Sequence, residues 1–456
     1  MGRTAIRYRL VREAPPATRP PVLDVYQRAV VDHPGGPLLV LAGPGTGKTT
    51  TLVEAVAARV ERGTSPDRIL VLTFSRKAAS ELRDRITTRL ERTTALPMAS
   101  TFHAFCYALV RRHQPRELFT NPLSLLSGPE QDVAVRELLR GDRSGPGWPR
   151  ELRAGLGTRG FAEEVRAVIA RVRELGLDPE DLEGFGREVG RQDWAAAGRF
   201  LGEYLDVLDA RGVIDHTELV HRAVLLAEHG DVRGELRRQY DAVFVDEYQD
   251  TDPAQVRLLR ALAGAGRDLT VFGDPDQSIY AFRGADVRGI LTFPETFTAR
   301  DRSPAAVRVL RVSRRSGTVL LRASREVTRR MPLSRLPTEQ VRAHRDLAAG
   351  SAPGGPGGVR VLTFPTLGAE LDGVADLLRR AHLEDGLPWS EMAVLVRSGV
   401  RLIPSVRRVL GAAGVPLEVA GDELPLRREP AVAPLLSALR CAADPVALTT
   451  DEARSL

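Results

Sequence analysis

Of the 65 lysines and arginines in this chain, only Lys48 and Lys77 are lysines. Lys48 ends the run Leu38-Leu-Val-Leu-Ala42-Gly43-Pro44-Gly45-Thr46-Gly47-Lys48, and Thr49 and Thr50 follow it. A compact ammonium fits a small glycine-lined cradle and reaches oxyanions there, which a planar five-donor guanidinium does not. A lysine kept at this position in an arginine-rich chain therefore points to phosphate binding. Residues Ala42 to Thr49 fit the phosphate-loop pattern, except that Ala42 stands where the first glycine is usual. The backbone N–H groups of Gly45 to Lys48 would cradle phosphate oxygens at a helix N-terminus, with Ala42 to Thr50 forming the binding segment. The Thr49 hydroxyl would reach Mg²⁺. A chance glycine-rich turn is the bland alternative, and a strand before the loop and a helix after it argue against that.

The second chemical signal is Ala242-Val-Phe-Val-Asp246-Glu247-Tyr-Gln249-Asp250, an apolar run ending in adjacent carboxylates. Asp246 would hold Mg²⁺, and Glu247 would orient or deprotonate an attacking water. Phosphoryl transfer needs this division of labour, because positioning and charge are most of what a protein contributes to it. An Asp-Glu pair after a strand is weak evidence alone and strong evidence beside the loop. Together they point to ATP and Mg²⁺.

The elements that must carry these groups are visible as short apolar runs at 38–42, 69–74, 242–245 and 269–272, separated by helical patterns. That alternation predicts an α/β fold with a parallel sheet. Apolar residues Val53, Val56, Ala57 and Val60, then Leu82, Ile86 and Leu90, repeat at the spacing of helices packed on a sheet. Residues 105–238 read as a helical insertion. Further strand patterns at 307–312, 359–364, 393–396 and 417–420 predict that a second α/β domain begins near residue 300. The expected division is an N-terminal extension (1–20), a first domain (21–104 and 239–300), the insertion (105–238) and an incomplete second domain (301–456).

Composition narrows the class. The 456 residues are 43% hydrophobic with a formal charge of +6, ample for packed cores and compatible with a polyanionic partner. Cys106 and Cys441 are isolated, which leaves no disulfide framework, zinc finger or cysteine-ligated cluster within the chain. No signal-peptide core or membrane-length apolar run is present, so a cytoplasmic protein without membrane contact is expected. Trp148, Trp194 and Trp389 read as packing residues, and the histidines show no metal-ligand spacing.

The ordered set of motifs resembles the UvrD/Rep class of superfamily 1 DNA helicases. Leu23-Asp-Val-Tyr-Gln27 resembles the element in which Gln27 would read the adenine edge. Leu72-Thr-Phe74-Ser-Arg-Lys77 and Ser100-Thr-Phe-His103 resemble the next two motifs. Gly273-Asp-Pro-Asp-Gln277-Ser-Ile-Tyr280-Ala-Phe282-Arg283 resembles the sensor that couples nucleotide to bound strand. The resemblance implies a RecA-like fold, a γ-phosphate contact from Gln277, a nucleotide contact from Arg283, and a nucleic-acid track including Phe74, His103, Tyr280 and Phe282. Read from pattern alone, Phe74 is better placed in a core.

Two positions depart from the family. Phe282 stands where tryptophan is usual, and Ser313-Arg314-Arg315-Ser316 stands where Asn-Tyr-Arg-Ser is usual. Arg315 then falls at the arginine-finger position, and Arg314 replaces the tyrosine that would pack on adenine, where its guanidinium could stack instead. The family's last two motifs are absent. Gly43-Pro44-Gly45 and Arg314-Arg315-Ser-Gly317 resemble the AdnA-type subunit of actinobacterial helicase–nucleases, which implies a second subunit. The function implied is the ATP-binding portion of a 3′-to-5′ DNA helicase of repair or recombination, acting on single-stranded DNA and single/double-strand junctions. The alternative is a truncated nucleotide- and strand-binding module without its own motor activity. An RNA translocase also stays open, since stacking platforms do not distinguish sugars.

Overall fold

The computed structural model describes residues 21–90, 98–113, 123–141, 147–281, 284–333, 335–351, 355–419 and 432–443. The first three strands are β1 (Pro37–Ala42), β2 (Ile69–Thr73) and β3 (Met98–Thr101). The short pieces β4 (Ser124–Leu125) and β5 (Val213–Ile214) follow, then β6 (Ala242–Val245), β7 (Asp268–Gly273) and β8 (Ala306–Leu310), and last β9 (Val312–Ser313) and β10 (Ala348–Ala349). Six of these form one sheet in the order β3-β2-β6-β7-β1-β8, parallel at every described pairing. Strands β1, β2 and β6 are buried along their whole length. Continuous apolar runs are what a parallel sheet covered on both faces requires, so the expected fold class holds.

The helices cover both faces. On one side lie α1 (Val25–Val31), α2 (Lys48–Glu61) and α3 (Arg76–Leu90), where Leu52, Val56, Leu82 and Ile86 close over Val40, Val71 and Phe244. On the other lies α4 (Phe102–His113), with α9 (His216–Glu228), α10 (Gly230–Gln239) and α11 (Pro253–Ala263). Between them in sequence come α5 (Gly128–Gly141), α6 (Arg159–Leu175), α7 (Pro179–Glu188) and α8 (Gln192–Arg211), with a separate core that includes Val135, Trp148, Ile169, Phe200 and Tyr204. These helices fall within residues 105–238. However, α4, α9 and α10 bury Phe105, Val224 and Leu236 in the sheet's own core, so the independently packed part is narrower than 105–238. Trp148 packs edge-on against Phe161, and Trp194 stacks on Phe185, as expected of packing residues.

The expected boundary at residue 300 moves. β8 pairs in parallel with β1 from Leu38↔Ala306 to Ala42↔Leu310, completing the first sheet rather than opening a second. The short helices α12 (Arg288–Leu291) and α13 (Phe293–Thr296) precede β8, and α14 (Thr318–Thr328) and α15 (Thr338–Arg345) follow it. The chain divides into two compact units after Val359. The apolar pattern of 307–312 identifies a strand but not its partner, because pairing is decided by the neighbour available and not by propensity.

In the second unit, α16 (Leu367–Leu383) and α17 (Gly399–Ala412) share a small core of Leu371, Ala375, Val406, Leu410 and Val415, and α18 (Ala433–Ala443) follows. Trp389 stacks on His382 there, with ring centroids 4.1 Å apart. The runs at 359–364, 393–396 and 417–419 are not paired in a sheet among the described residues. Val394 and Val396 pack against the helices, while Val361 and Leu395 face outward.

Candidate active site

The loop after β1 is built by two left-handed glycines, Gly45 at φ +73° and Gly47 at φ +82°. Left-handed backbone is accessible to glycine at little steric cost. Gly45 could be nothing else: a Cβ there would lie 2.5 Å from the Arg315 Cβ and 2.8 Å from the Ser313 Oγ. Thr46 is buried and donates its hydroxyl to the Gly43 carbonyl at 2.7 Å, which tightens the turn. Gly47 caps α2 without a side-chain hydrogen bond. The first N–H groups of that helix are therefore not capped by a side chain, an arrangement that suits an anion. Thr49 and Thr50 follow on the first turn, half-buried.

The carboxylates arrive from two strands away. Asp246, just past β6, is buried and lies 3.6 Å from the Lys48 Nζ, and Glu247 is ion-paired with the same ammonium. Glu247 has left-handed backbone at φ +54°. At a non-glycine residue that conformation costs about 1–3 kcal/mol and tends to cluster at functional sites. The side chains differ in access: Asp246 is 8% exposed and Glu247 39%, so water can reach only the second freely. Burial raises the Asp246 pKa above its ordinary value, with Lys48 opposing and Glu247 adding to the shift. Asp250 is pushed up to about 6 by burial and by the charge of Glu247, and its Oδ1 is buried without a hydrogen-bond partner.

Gln249 and Asp274 join this pair to the loop after β7. Gln249 donates from Nε2 to the Glu247 Oε2 at 2.9 Å and accepts the Asp274 N–H on Oε1 at 3.0 Å. The Asp274 Oδ2 accepts from the Gln277 Nε2 at 2.5 Å. Burial alone would raise the Asp274 carboxyl, but hydrogen bonds from His344, Gln277 and the Asp276 N–H hold it below its ordinary value.

Gln27 is buried, and both ends of its amide are engaged. Nε2 donates to the Thr46 carbonyl at 3.2 Å, and Oε1 accepts from the Asp24 N–H at 3.1 Å and from Arg314 at 3.3 Å. Arg314 also binds Asp24 at 2.7 Å and the Thr46 carbonyl at 3.3 Å. The guanidinium is thus a clamp between α1 and the phosphate loop. Ser313 donates to the Pro44 carbonyl at 2.9 Å, and the Arg314 N–H donates to the Gly45 carbonyl at 2.8 Å. Arg315 is exposed, with its Cβ beside Gly45.

Phe74, His103 and Tyr280 all follow C-terminal ends of sheet strands. Phe74 is half-buried, its ring 5.6 Å from Phe102. His103 is half-buried beside His216, and its pKa is pushed down to about 4 by burial and by that neighbour, so it is neutral at pH 7. Tyr280 is 39% exposed next to the open Ile279. Phe282 and Arg283 lie outside the described residues.

The loops of β1, β6 and β7 therefore meet at one edge of the sheet, where the glycine-built loop and Lys48 face an acid pair. Residues 23–298 match the UvrD/REP helicase N-terminal domain, which is more than half of the chain. The chain belongs to this family. It is 31% identical to the ATP-dependent DNA helicase PcrA of Bacillus subtilis over 307 residues, 67% of this chain and 39% of that protein. It is 32% identical to the ATP-dependent DNA helicase UvrD1 of Mycobacterium tuberculosis over 286 residues, 60% of this chain and 36% of that protein. PcrA of Staphylococcus epidermidis matches over 373 residues at 28% identity, 80% of this chain and 46% of that protein. The chain spans less than half the length of these relatives. Among the described residues no helix is long and apolar enough to cross a membrane.

Several residues of this site carried no assigned role in the sequence. Gln249 and Asp250 had a signal, their place directly after the acid pair. Asp24 and Ser313 had only their closeness to Gln27 and Arg315. His344 had none, being 70 residues from the Asp274 it contacts.

Proposed function

We propose that this chain is the ATP-binding portion of a 3′-to-5′ DNA helicase or translocase of repair or recombination, working in the cytoplasm on single-stranded DNA and its junctions with duplex. The observation that carries the reading is the convergence of Lys48 with Asp246 and Glu247 over a phosphate loop whose helix has no side-chain cap. In this reading ATP enters by taking over Lys48, whose ammonium exchanges the Glu247 carboxylate for β- and γ-phosphate oxygens. Glu247 is then released to orient and deprotonate the attacking water. Gln277 senses the γ-phosphate, Gln27 and Arg314 frame the base, and Arg315 lends positive charge to the transferring group.

The donor set fits a hard divalent cation, since Thr49 and Asp246 offer only oxygen, and the unpartnered Oδ1 of Asp250 adds a further oxygen nearby. Mg²⁺ held by Thr49 and Asp246 would neutralise phosphate charge. Phe74, His103 and Tyr280 supply the strand track, with Phe282 and Arg283 assigned to it or to the nucleotide by resemblance. The AdnA-type subtype and its second subunit rest on the Gly43-Pro44-Gly45 and Arg314-Arg315 resemblance.

The test is steady-state ATP hydrolysis with and without single-stranded DNA, beside Lys48→Ala. DNA-stimulated turnover that vanishes in the variant supports the motor. ATP binding without turnover supports the strand-binding module instead, and turnover unchanged by Lys48→Ala sinks the assignment.

A further inference from the structure

The sensor loop is gripped from outside the motifs by the end of α15. His344 is buried, and its Nε2 lies 3.0 Å from the Asp274 Oδ1 and 3.8 Å from the Asp276 Oδ2. Arg345 makes a two-pronged pair with Asp276, Nε to Oδ2 at 3.0 Å and Nη2 to Oδ1 at 2.7 Å. Nη2 also donates to the Met331 carbonyl at 2.8 Å, which fixes the fork. A bidentate fork orients a carboxylate as well as neutralising it.

Three donors from Asp274, Asp276 and His344 lie close enough to hold a cation. Their oxygens are already satisfied: His344 and Gln277 occupy the two oxygens of Asp274, and Arg345 compensates Asp276. A positioning role accounts for the cluster without an added ion.

The contacts run in both directions from Asp274. One of its oxygens faces His344, the other receives the Gln277 amide, and its N–H reaches Glu247 through Gln249. The same helix end touches the phosphate loop. A Cβ on Gly43 would lie 2.9 Å from the Leu347 Cδ1 and 3.8 Å from the His344 Cε1. Arg325 donates to the Leu347 carbonyl at 2.6 Å, and β10 pairs with β9 beside Arg314, so the segment is anchored on both sides.

We propose that His344 and Arg345 are positioning residues that hold the sensor loop so that Gln277 and Glu247 face the γ-phosphate together. The proposal rests on the ATP reading above. The His344 ring is tethered at Nε2 only, since its Nδ1 is buried without a partner. Losing the Nε2 contact leaves the Asp274 Oδ1 with only the Asp276 N–H, which loosens the carboxylate that orients Gln277. Base and phosphate-loop affinity should survive, while discrimination of triphosphate from diphosphate should not.

The experiment measures binding of a fluorescent ADP and of a fluorescent non-hydrolysable ATP analogue to the whole chain, in wild type, His344→Leu, His344→Gln and Arg345→Gln. These readouts need no turnover. His344→Leu should lower the preference for triphosphate by about tenfold, the scale of supporting-residue losses, with ADP affinity kept. His344→Gln, which returns an N–H near the Nε2 position, should restore it. Arg345→Gln should act in the same direction and is informative if His344→Leu does not fold. Equal losses for both nucleotides, no loss in a folded variant, or Leu and Gln variants alike would overturn the proposal, as would wild-type binding that ignores the γ-phosphate. Wild-type protein that binds neither nucleotide would sink the ATP reading itself, and this inference with it.

Discussion

Gln249 holds Glu247 through a 2.9 Å hydrogen bond from Nε2, while its Oε1 is fixed by the Asp274 N–H at 3.0 Å. One amide therefore sets the direction of the exposed carboxylate and registers it against the sensor loop. Gln249→Ala should lower kcat for ATP by about 10–100-fold, as losing the partner of a reactive group does, without changing nucleotide affinity. Single-turnover hydrolysis beside equilibrium binding checks this. An equal loss in both would show that Gln249 only supports the fold.

Glu247→Gln removes the proposed base and keeps the side-chain volume. ATP binding should persist and hydrolysis should fall by about 10²–10⁴-fold, the usual contribution of a general base. Because Glu247 is ion-paired with Lys48, neutralising it also frees the ammonium, so affinity for ATP should rise slightly. A fall in affinity matching the fall in rate would assign Glu247 to structure.

Phe74 stands between two readings, half-buried against Phe102 yet at a strand end. Phe74→Leu keeps an apolar contact and removes the aromatic face. It should weaken single-stranded DNA binding by about 1–3 kcal/mol if a base stacks there, with little change in the melting temperature. Normal binding by the folded variant would return Phe74 to the core.

Asp252 caps α11, accepting the Gln255 N–H, and its pKa is raised to about 7 by burial, against that hydrogen bond and with help from the charge of Glu174. The folded state then binds more protons than the unfolded state between the ordinary aspartate value and about 7, so stability falls as pH rises through that window. Asp252→Asn caps comparably and cannot ionise. Its melting temperature should gain on wild type as pH rises from 4 to 7. A constant difference across that range would show that Asp252 does not titrate there.

Arg173 on α6 is buried and paired with the equally buried Glu218 on α9 at 2.7 Å, tying the insertion to the sheet unit. Without Glu218 the buried Arg173 keeps only the exposed carboxylate of Asp178 at 2.9 Å, so the cost approaches that of an uncompensated buried charge, about 3–5 kcal/mol. Glu218→Leu should therefore lower the melting temperature sharply, and adding Arg173→Met should recover much of the loss. If the double variant were no better than the single one, the pair's charge would not be the cause.

The phosphate loop and the acid pair were legible because their signals are contiguous. A strand, two left-handed glycines and a lysine at fixed spacing set a local geometry, and β1, β2, β6 and β7 fall where the apolar runs lie. The edge strand β3 gave no pattern of its own, being four residues long and bounded by a motif read for other reasons. The run at 307–312 is legible as a strand, but its pairing with β1 is not.

The sequence by itself marked the candidates: Lys48, Thr49, Asp246 and Glu247 follow apolar runs that fold as covered strands, and the resemblance to the helicase family marked Gln277. Only the tertiary structure decided what surrounds them. It put β8 against β1, turned the Gln27 amide inward onto Thr46 and Arg314, and brought His344 to Asp274. The physical reason is range. Backbone geometry fixes neighbours within a turn or a loop, whereas a contact across 70 residues exists only when packing makes one arrangement of helices and sheet lower in free energy than the alternatives.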